Sequence, residues 1–135
     1  MSCNSAIYTV NSNVTVAANG TIPLGSVIRR FGCNCQLDGS AITCCGRGYY
    51  DVECSVSLTP VGAGVIGVQL YADGVAVPGA TASVTGAAAT TENLVITGLV
   101  RQKCEGATSL TVGLVSGAVA TGATINNIAT VVEKV

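Results

Sequence analysis

The chain has 135 residues, six Lys or Arg against seven Asp or Glu, no His, and a hydrophobic share of 49% beside only 10% charged residues. That length accommodates one core rather than two, and a formal net charge of -1 with no block of one sign offers nothing to a phosphate backbone or an anionic bilayer. The charged share is well under the roughly 25% usual in soluble domains, so part of the surface is expected to be covered by other subunits.

Short apolar-polar alternating runs recur with turn residues between them, the pattern of an all-β sandwich or barrel. Strands are predicted at Tyr8–Val16, Thr21–Arg30, Ile42–Thr43, Tyr49–Thr59, Val65–Tyr71, Val75–Val77, Ala80–Val84, Leu94–Val100, Ser109–Val115 and Ile125–Glu133. In the clearest run, Tyr50, Val52, Cys54, Val56 and Leu58 share one face, while Tyr49, Asp51, Glu53, Ser55 and Ser57 share the other. Asn19-Gly20, Asp38-Gly39 and Asp73-Gly74 supply residues that tolerate positive φ, and Asp73-Gly74 joins two β-rich runs as a hairpin would. Residues 1–6 are expected to form a mobile N-terminal segment and residues 7–135 a single domain. No apolar stretch reaches the roughly 18 residues of a membrane span, and Met1–Ala6 has neither the basic nor the apolar region of a signal peptide.

The segment Gly46-Arg47-Gly48-Tyr49-Tyr50-Asp51-Val52-Glu53-Cys54-Ser55-Val56 resembles the Gly-x-Tyr strand entry of the tumour necrosis factor and complement globular-head superfamily. The order of the later segments is similar too: Val68-Gln69-Leu70-Tyr71 with the turn Ala72-Asp73-Gly74, then Leu110–Leu114, then a final strand at Ile125–Val135. The low charge and the wealth of Val, Ala, Thr and Gly resemble bacterial and phage members, such as the tips of collagen-like spore-surface proteins and short phage-encoded domains. The resemblance implies a ten-strand jelly-roll β-sandwich that forms a tight parallel homotrimer. The chain departs from the family pattern in its single Phe, its lack of Trp and of a collagen-like stalk, and its cysteine cluster.

Candidate interface or core residues are Tyr50, Val52, Val56 and Leu58 on the first strand of the motif, with Ile125, Ile128 and Val132 on the C-terminal one. Cys33, Cys35, Cys44 and Cys45 place four thiols across one loop or hairpin, and three readings compete. Four thiolates satisfy a tetrahedral zinc site, although Cys44 and Cys45 point to opposite faces of a strand and two-residue spacers are absent. Disulfides between the Cys33/Cys35 side and the Cys44/Cys45 side would staple the loop. Free, partly buried thiols are the third reading. With seven cysteines at least one is unpaired within the chain; Cys3 is the candidate, while Cys54 lies on the apolar parity of its strand.

Without His there is no base for a Ser-His or Cys-His nucleophile, and neither Lys103 nor Lys134 lies near a Gly-flanked serine. Asp51 and Glu53, two apart on one face, could reach the separation used in glycoside hydrolysis or hold a calcium ion. The chain offers no aromatic platform and no dense Asp/Asn/Gly loop in support, so a solvated or inter-subunit face is the plainer reading. Arg29-Arg30 could meet an anionic partner, and Asn13-Val14-Thr15 and Asn19-Gly20-Thr21 match the glycosylation pattern. These features point to a non-enzymatic structural protein without cofactor or metal. Its expected place is the surface of a virion, cell or spore after cytoplasmic synthesis, where it would act as a phage capsid decoration or head-fibre component anchored by a capsid or surface protein. The alternative is a bacterial or spore-surface adhesin, or a glycan- or ligand-binding module.

Overall fold

Turn chemistry divides this Val- and Thr-rich chain into strands that repeatedly double back. The computed structural model describes residues 5–32, 34–102, 106–116 and 122–135, and among them the secondary structure is all β. The strands are β1 (Ala6–Val16), β2 (Thr21–Ile22), β3 (Ser26–Phe31), β4 (Cys35–Asp38), β5 (Ala41–Cys45), β6 (Gly48–Pro60), β7 (Gly64–Ala72), β8 (Val75–Gly86), β9 (Glu92–Gln102), β10 (Ala107–Ser116) and β11 (Ala123–Lys134). One sheet runs β3-β1-β11-β6-β9; the other runs β4-β5-β10-β7-β8, with β2 paired to β10. The two sheets close a jelly-roll sandwich. Among the described residues no helix is long and apolar enough to cross a membrane.

The described strands number eleven rather than ten, for three local reasons. The predicted run Thr21–Arg30 breaks at Pro23-Leu24-Gly25, where Gly25 takes a φ of +89° and a Cβ would collide with the Val10 carbonyl. A short strand, β4, pairs with β5 through a two-residue turn at Gly39-Ser40. The predicted runs Val75–Val77 and Ala80–Val84 belong to one strand, β8, whose register against β7 shifts between Gln69 and Tyr71. Pro78 and Gly79 sit in this irregular stretch, as suits an edge strand, and Gly79 has a φ of +81°. Gln69 compensates for the interrupted ladder, with its Nε2 within 2.8 to 3.1 Å of the carbonyls of Leu70, Val77 and Ala80. The Asp73-Gly74 hairpin forms as expected, both residues having positive φ between the paired Ala72 and Val75.

The inner face of β6 supplies Tyr50, Val52, Cys54, Val56 and Leu58, every one at most 1% exposed. They pack with Ile7, Ile96, Ile125, Ile128 and Val132 against Ile42, Leu70, Leu110, Val112 and Leu114 from the facing sheet. Ile125 and Ile128 both reach the core although they lie three positions apart. A bulge at Asn126 resets the strand's parity between the pairs Leu58–Ile125 and Ser57–Asn127, and Asn126 Nδ2 donates to Thr59 Oγ1 at 2.8 Å. The sandwich also takes in Ser5, 1% exposed, and Ala6, which begins β1. Residues 1–4 of the expected N-terminal segment lie outside the described residues.

Candidate functional site

All seven residues expected at an interface or in the core, Tyr50, Val52, Val56, Leu58, Ile125, Ile128 and Val132, are at most 1% exposed within a single protomer. They are core residues, and any surface offered to another copy comes from elsewhere. The clean alternation that marked the β6 residues in the sequence reports burial without saying whose atoms do the burying.

The opposite face of the β3-β1-β11-β6-β9 sheet is the surface that remains uncovered. Directly opposed residues of an antiparallel ladder share a face, so register lays this surface out row by row. One row runs Phe31, Ala6, Glu133, Asp51, Leu99; the next Arg29, Tyr8, Val131, Glu53, Thr97; a third includes Val10, Ala129, Ser55 and Val95. Phe31, Val95 and Leu99 are each more than half exposed, and Tyr49 lies beside them with the Arg101 guanidinium 5.8 Å from its ring centroid. Asp51, Glu53 and Glu133 thus form an acidic strip on the central strands, while Arg29 and Arg101 stand on the two edge strands. The outer face of the other sheet is different in kind. Gln36, Thr43, Ser109, Thr111 and Gln69 make its middle polar and uncharged, while Tyr71, Val65 and Val115 add apolar surface on the same face.

A second uncovered apolar region lies where the edge strands β8 and β9 meet. Here the Pro78-Gly79 irregularity leaves a cleft of about 550 Å³ lined by Ala72, Val75, Val77, Pro78, Leu99 and Arg101 among others. Val75 is 70% exposed at its rim. Leu99 and Arg101 therefore border both the sheet face and the cleft. The sequence carried a signal for these residues. Along β9, Leu94, Ile96 and Val100 point inward and Val95 and Leu99 point outward, so the strand is apolar on both faces, which in an antiparallel sheet implies a cover on each.

The thiol cluster gathers at one end of the sandwich. Gly46, with a φ of +98°, turns the chain from β5 into β6, and a Cβ there would lie 2.6 Å from Asn34 Nδ2. Tyr50 Oη donates toward the carbonyls of Cys45 and Gly46, each 2.8 Å away, and Asn34 Nδ2 donates to Cys45 O at 2.7 Å. Burial, reinforced by the nearby thiols, pushes the Tyr50 phenol up to about 12. Cys35 and Cys44 are buried with their Sγ atoms 3.5 Å apart, Cys45 is exposed, and Arg30 Nε donates to the Cys35 carbonyl. Cys33, Cys3 and Lys103 lie outside the described residues. Among the described residues no three His, Cys, Asp or Glu side chains are grouped to hold a metal ion.

Arg29 and Arg30 do not act together: Arg29 faces the row of Tyr8 and Val131, whereas Arg30 turns to the thiol end. Cys54 is a core residue whose Sγ lies 3.5 Å from Thr130 Oγ1, and burial pushes its thiol up to about 11. Asn13 and Asn19 both adopt positive φ, at 55° and 60°, a conformation that Asn tolerates.

No protein-family model and no curated protein matches this sequence. The fold does match solved structures along nearly the whole chain. Murine APRIL superposes with a TM-score of 0.73 at 10% identity, covering 98% of this chain and 99% of that one. The globular domain of zebrafish complement 1qA protein gives 0.69 at 10% identity, covering 96% and 94%. The phage PRD1 vertex protein P5 gives 0.62 at 14% identity, covering 99% and 98%.

Proposed function

We propose that this jelly-roll chain of tumour-necrosis-factor-like fold is a structural surface module, non-enzymatic, that assembles as a homotrimer and is displayed on a particle, as a phage capsid decoration or head-fibre component. The observation that carries this reading is the pair of uncovered apolar surfaces, the outer face of the β3-β1-β11-β6-β9 sheet and the β8/β9 edge with its cleft. They adjoin along β9, where Leu99 and Arg101 border both, and differ in what they offer: one carries the acidic strip, the other the cleft. Contact of one with the other on a neighbouring copy is heterologous, and such contacts close into rings when the rotation permits. Charge agrees with this pairing: Arg101 on the β8/β9 side of one copy would meet the Asp51, Glu53 and Glu133 strip of the next. A protomer exposing 6719 Å² with thirteen charged residues has good reason to cover apolar surface this way.

Display on a virion draws support from the likeness to the phage PRD1 vertex protein P5; a capsid or surface-anchoring protein would be the second partner. A chain without His has few routes to acid-base chemistry, which suits a passive role. Sedimentation of particles from the native source tests the assignment. The protein should travel with intact particles and be reached by antibody from outside, and particles complete without it would reject the display role.

The β8/β9 cleft favours one other reading, a glycan- or ligand-binding module such as an adhesin, because its volume suits a small molecule and Arg101 stands at its rim. If the cleft serves a ligand, substituting Pro78 or Val75 changes ligand binding and leaves the assembly mass unaltered.

A further inference from the structure

Cys35 and Cys44 stand directly opposite each other on β4 and β5. One position further along, the Cys45 N–H donates to the Asn34 carbonyl at 2.7 Å. This makes Asn34–Cys45 a hydrogen-bonded position of the ladder and Cys35–Cys44 the non-hydrogen-bonded pair beside it. Such pairs hold their Cα atoms about 4.5 Å apart with the side chains closest, inside the range of roughly 4.4–6.8 Å that disulfides span. The Sγ atoms are already 3.5 Å apart and both side chains are buried. No other described cysteine has this geometry: Cys45 is exposed and projects from the opposite face of β5, and Cys54 is engaged with Thr130 on the other sheet.

The pair is also chemically asymmetric. The hydrogen bond from Cys44 draws the Cys35 thiol below its ordinary range against the opposing effect of burial, and the Ser5 hydroxyl, Arg30 and Lys134 act in the same direction. The same hydrogen bond, together with burial, pushes Cys44 up. These directions favour Cys35 as the sulfur that ionises and Cys44 as the one that keeps its proton. Both sulfurs are fully buried, and the strand that carries Cys35 is four residues long at the edge of its sheet, so an opening of that edge would admit a small oxidant.

We propose that Cys35 and Cys44 form a redox-modification site, which hydrogen peroxide converts to a single cross-strand disulfide with Cys35 as the attacking sulfur and Cys44 as the resolving one. In the first step the Cys35 sulfur attacks one peroxide oxygen and the O–O bond breaks. Cys35 becomes a sulfenic acid, and the departing hydroxide takes the proton that Cys35 released, giving water. In the second step the Cys44 sulfur attacks the sulfenic sulfur and the S–O bond breaks. That hydroxide takes the Cys44 proton, so two thiols and one peroxide yield one disulfide and two waters, with two electrons passing from sulfur to oxygen. The product staples β4 to β5 and removes freedom from the unfolded chain.

The full chain, reduced and then treated with one equivalent of peroxide, is alkylated and cleaved at Arg30, Asp38 and Arg47. A peptide joined across Asp38 should appear, lighter than the two thiol peptides by two hydrogens, and the thermal midpoint should rise by several degrees. The link should persist in the Cys33→Ser, Cys45→Ser double variant and vanish in Cys35→Ser. In Cys44→Ser, dimedone should trap a sulfenic acid on Cys35. A link through Cys33 or Cys45, two buried thiols still alkylatable after unfolding, or a dimedone adduct on Cys44 in the Cys35→Ser chain would overturn the proposal.

Discussion

Tyr50 Oη lies 2.8 Å from the carbonyl of Gly46, four residues before it, and the same distance from that of Cys45. The side chain that opens the longest strand thus fastens the turn that feeds it, which gives the Gly-x-Tyr entry a physical reason. Its ring fills the core while its hydroxyl meets the Gly46 carbonyl and shares the Cys45 carbonyl with Asn34 Nδ2. Tyr50→Phe keeps the ring and removes the donor, so stability should fall by about 1–3 kcal/mol with no change in assembly. Urea unfolding measures this, and an unchanged midpoint would show that water replaces the hydroxyl without loss.

Gln69 carries the irregular stretch of β8 in a comparable way, because its amide reaches the carbonyls of Leu70, Val77 and Ala80. Gln69→Leu should destabilise the protein by roughly 1–3 kcal/mol and loosen the β8/β9 cleft. Faster amide hydrogen exchange confined to residues 75–81 and their neighbours on β9 is the expected signature.

Core and assembly surface should separate cleanly by mutation. Ile128→Ala opens a cavity inside one protomer and should cost about 2–5 kcal/mol while the assembled mass stays the same in the folded protein. Val95→Asp and Leu99→Asp place charge on the outer sheet face and should lower that mass with little effect on the protomer's fold. Arg101→Glu should weaken assembly, and Arg101→Glu combined with Glu53→Arg should restore part of it. Mass measured by light scattering on each variant decides between the two classes.

Alkaline pH should destabilise the protein through two buried groups. Cys54 and Tyr50 are neutral when protonated, and burial raises them to about 11 and about 12 in the folded state. Folding therefore retains protons that the unfolded chain releases from about pH 9 upward. The stabilisation is complete below that pH and is lost as pH climbs through the folded values. For the well-buried Cys54 the loss is about 1.4 kcal/mol for each pH unit that separates its unfolded and folded titrations. Cys54→Val should flatten this loss above pH 9, which denaturation midpoints at pH 8 and pH 10 can register.

The all-β class, the order of the main strands and the inner face of β6 were legible because an alternation of period two survives any detail of packing. Three features were not. The bulge at Asn126 could not be placed: Ile125 and Ile128 are both interface or core candidates, although parity read along the sequence puts them on opposite sides. The brief strand β4 offers only Cys35–Asp38, too short for a period. And Gln69, a polar residue inside an apolar run, takes on meaning only once its three carbonyl partners are in place. The proposed assembly surface was legible only in part: the charge deficit predicted that apolar surface is covered, but Tyr50 and its neighbours are consumed by the protomer's own core, while Leu99 and Val95 face out.

Self-association is the claim on which the functional reading depends. Size-exclusion chromatography with multi-angle light scattering, on reduced protein at micromolar concentration and neutral pH, tests it most directly. The expected result is a single species at three times the 13.4 kDa chain mass. A stable species at the mass of one chain, with the outer face of the β3-β1-β11-β6-β9 sheet left in water, would contradict it.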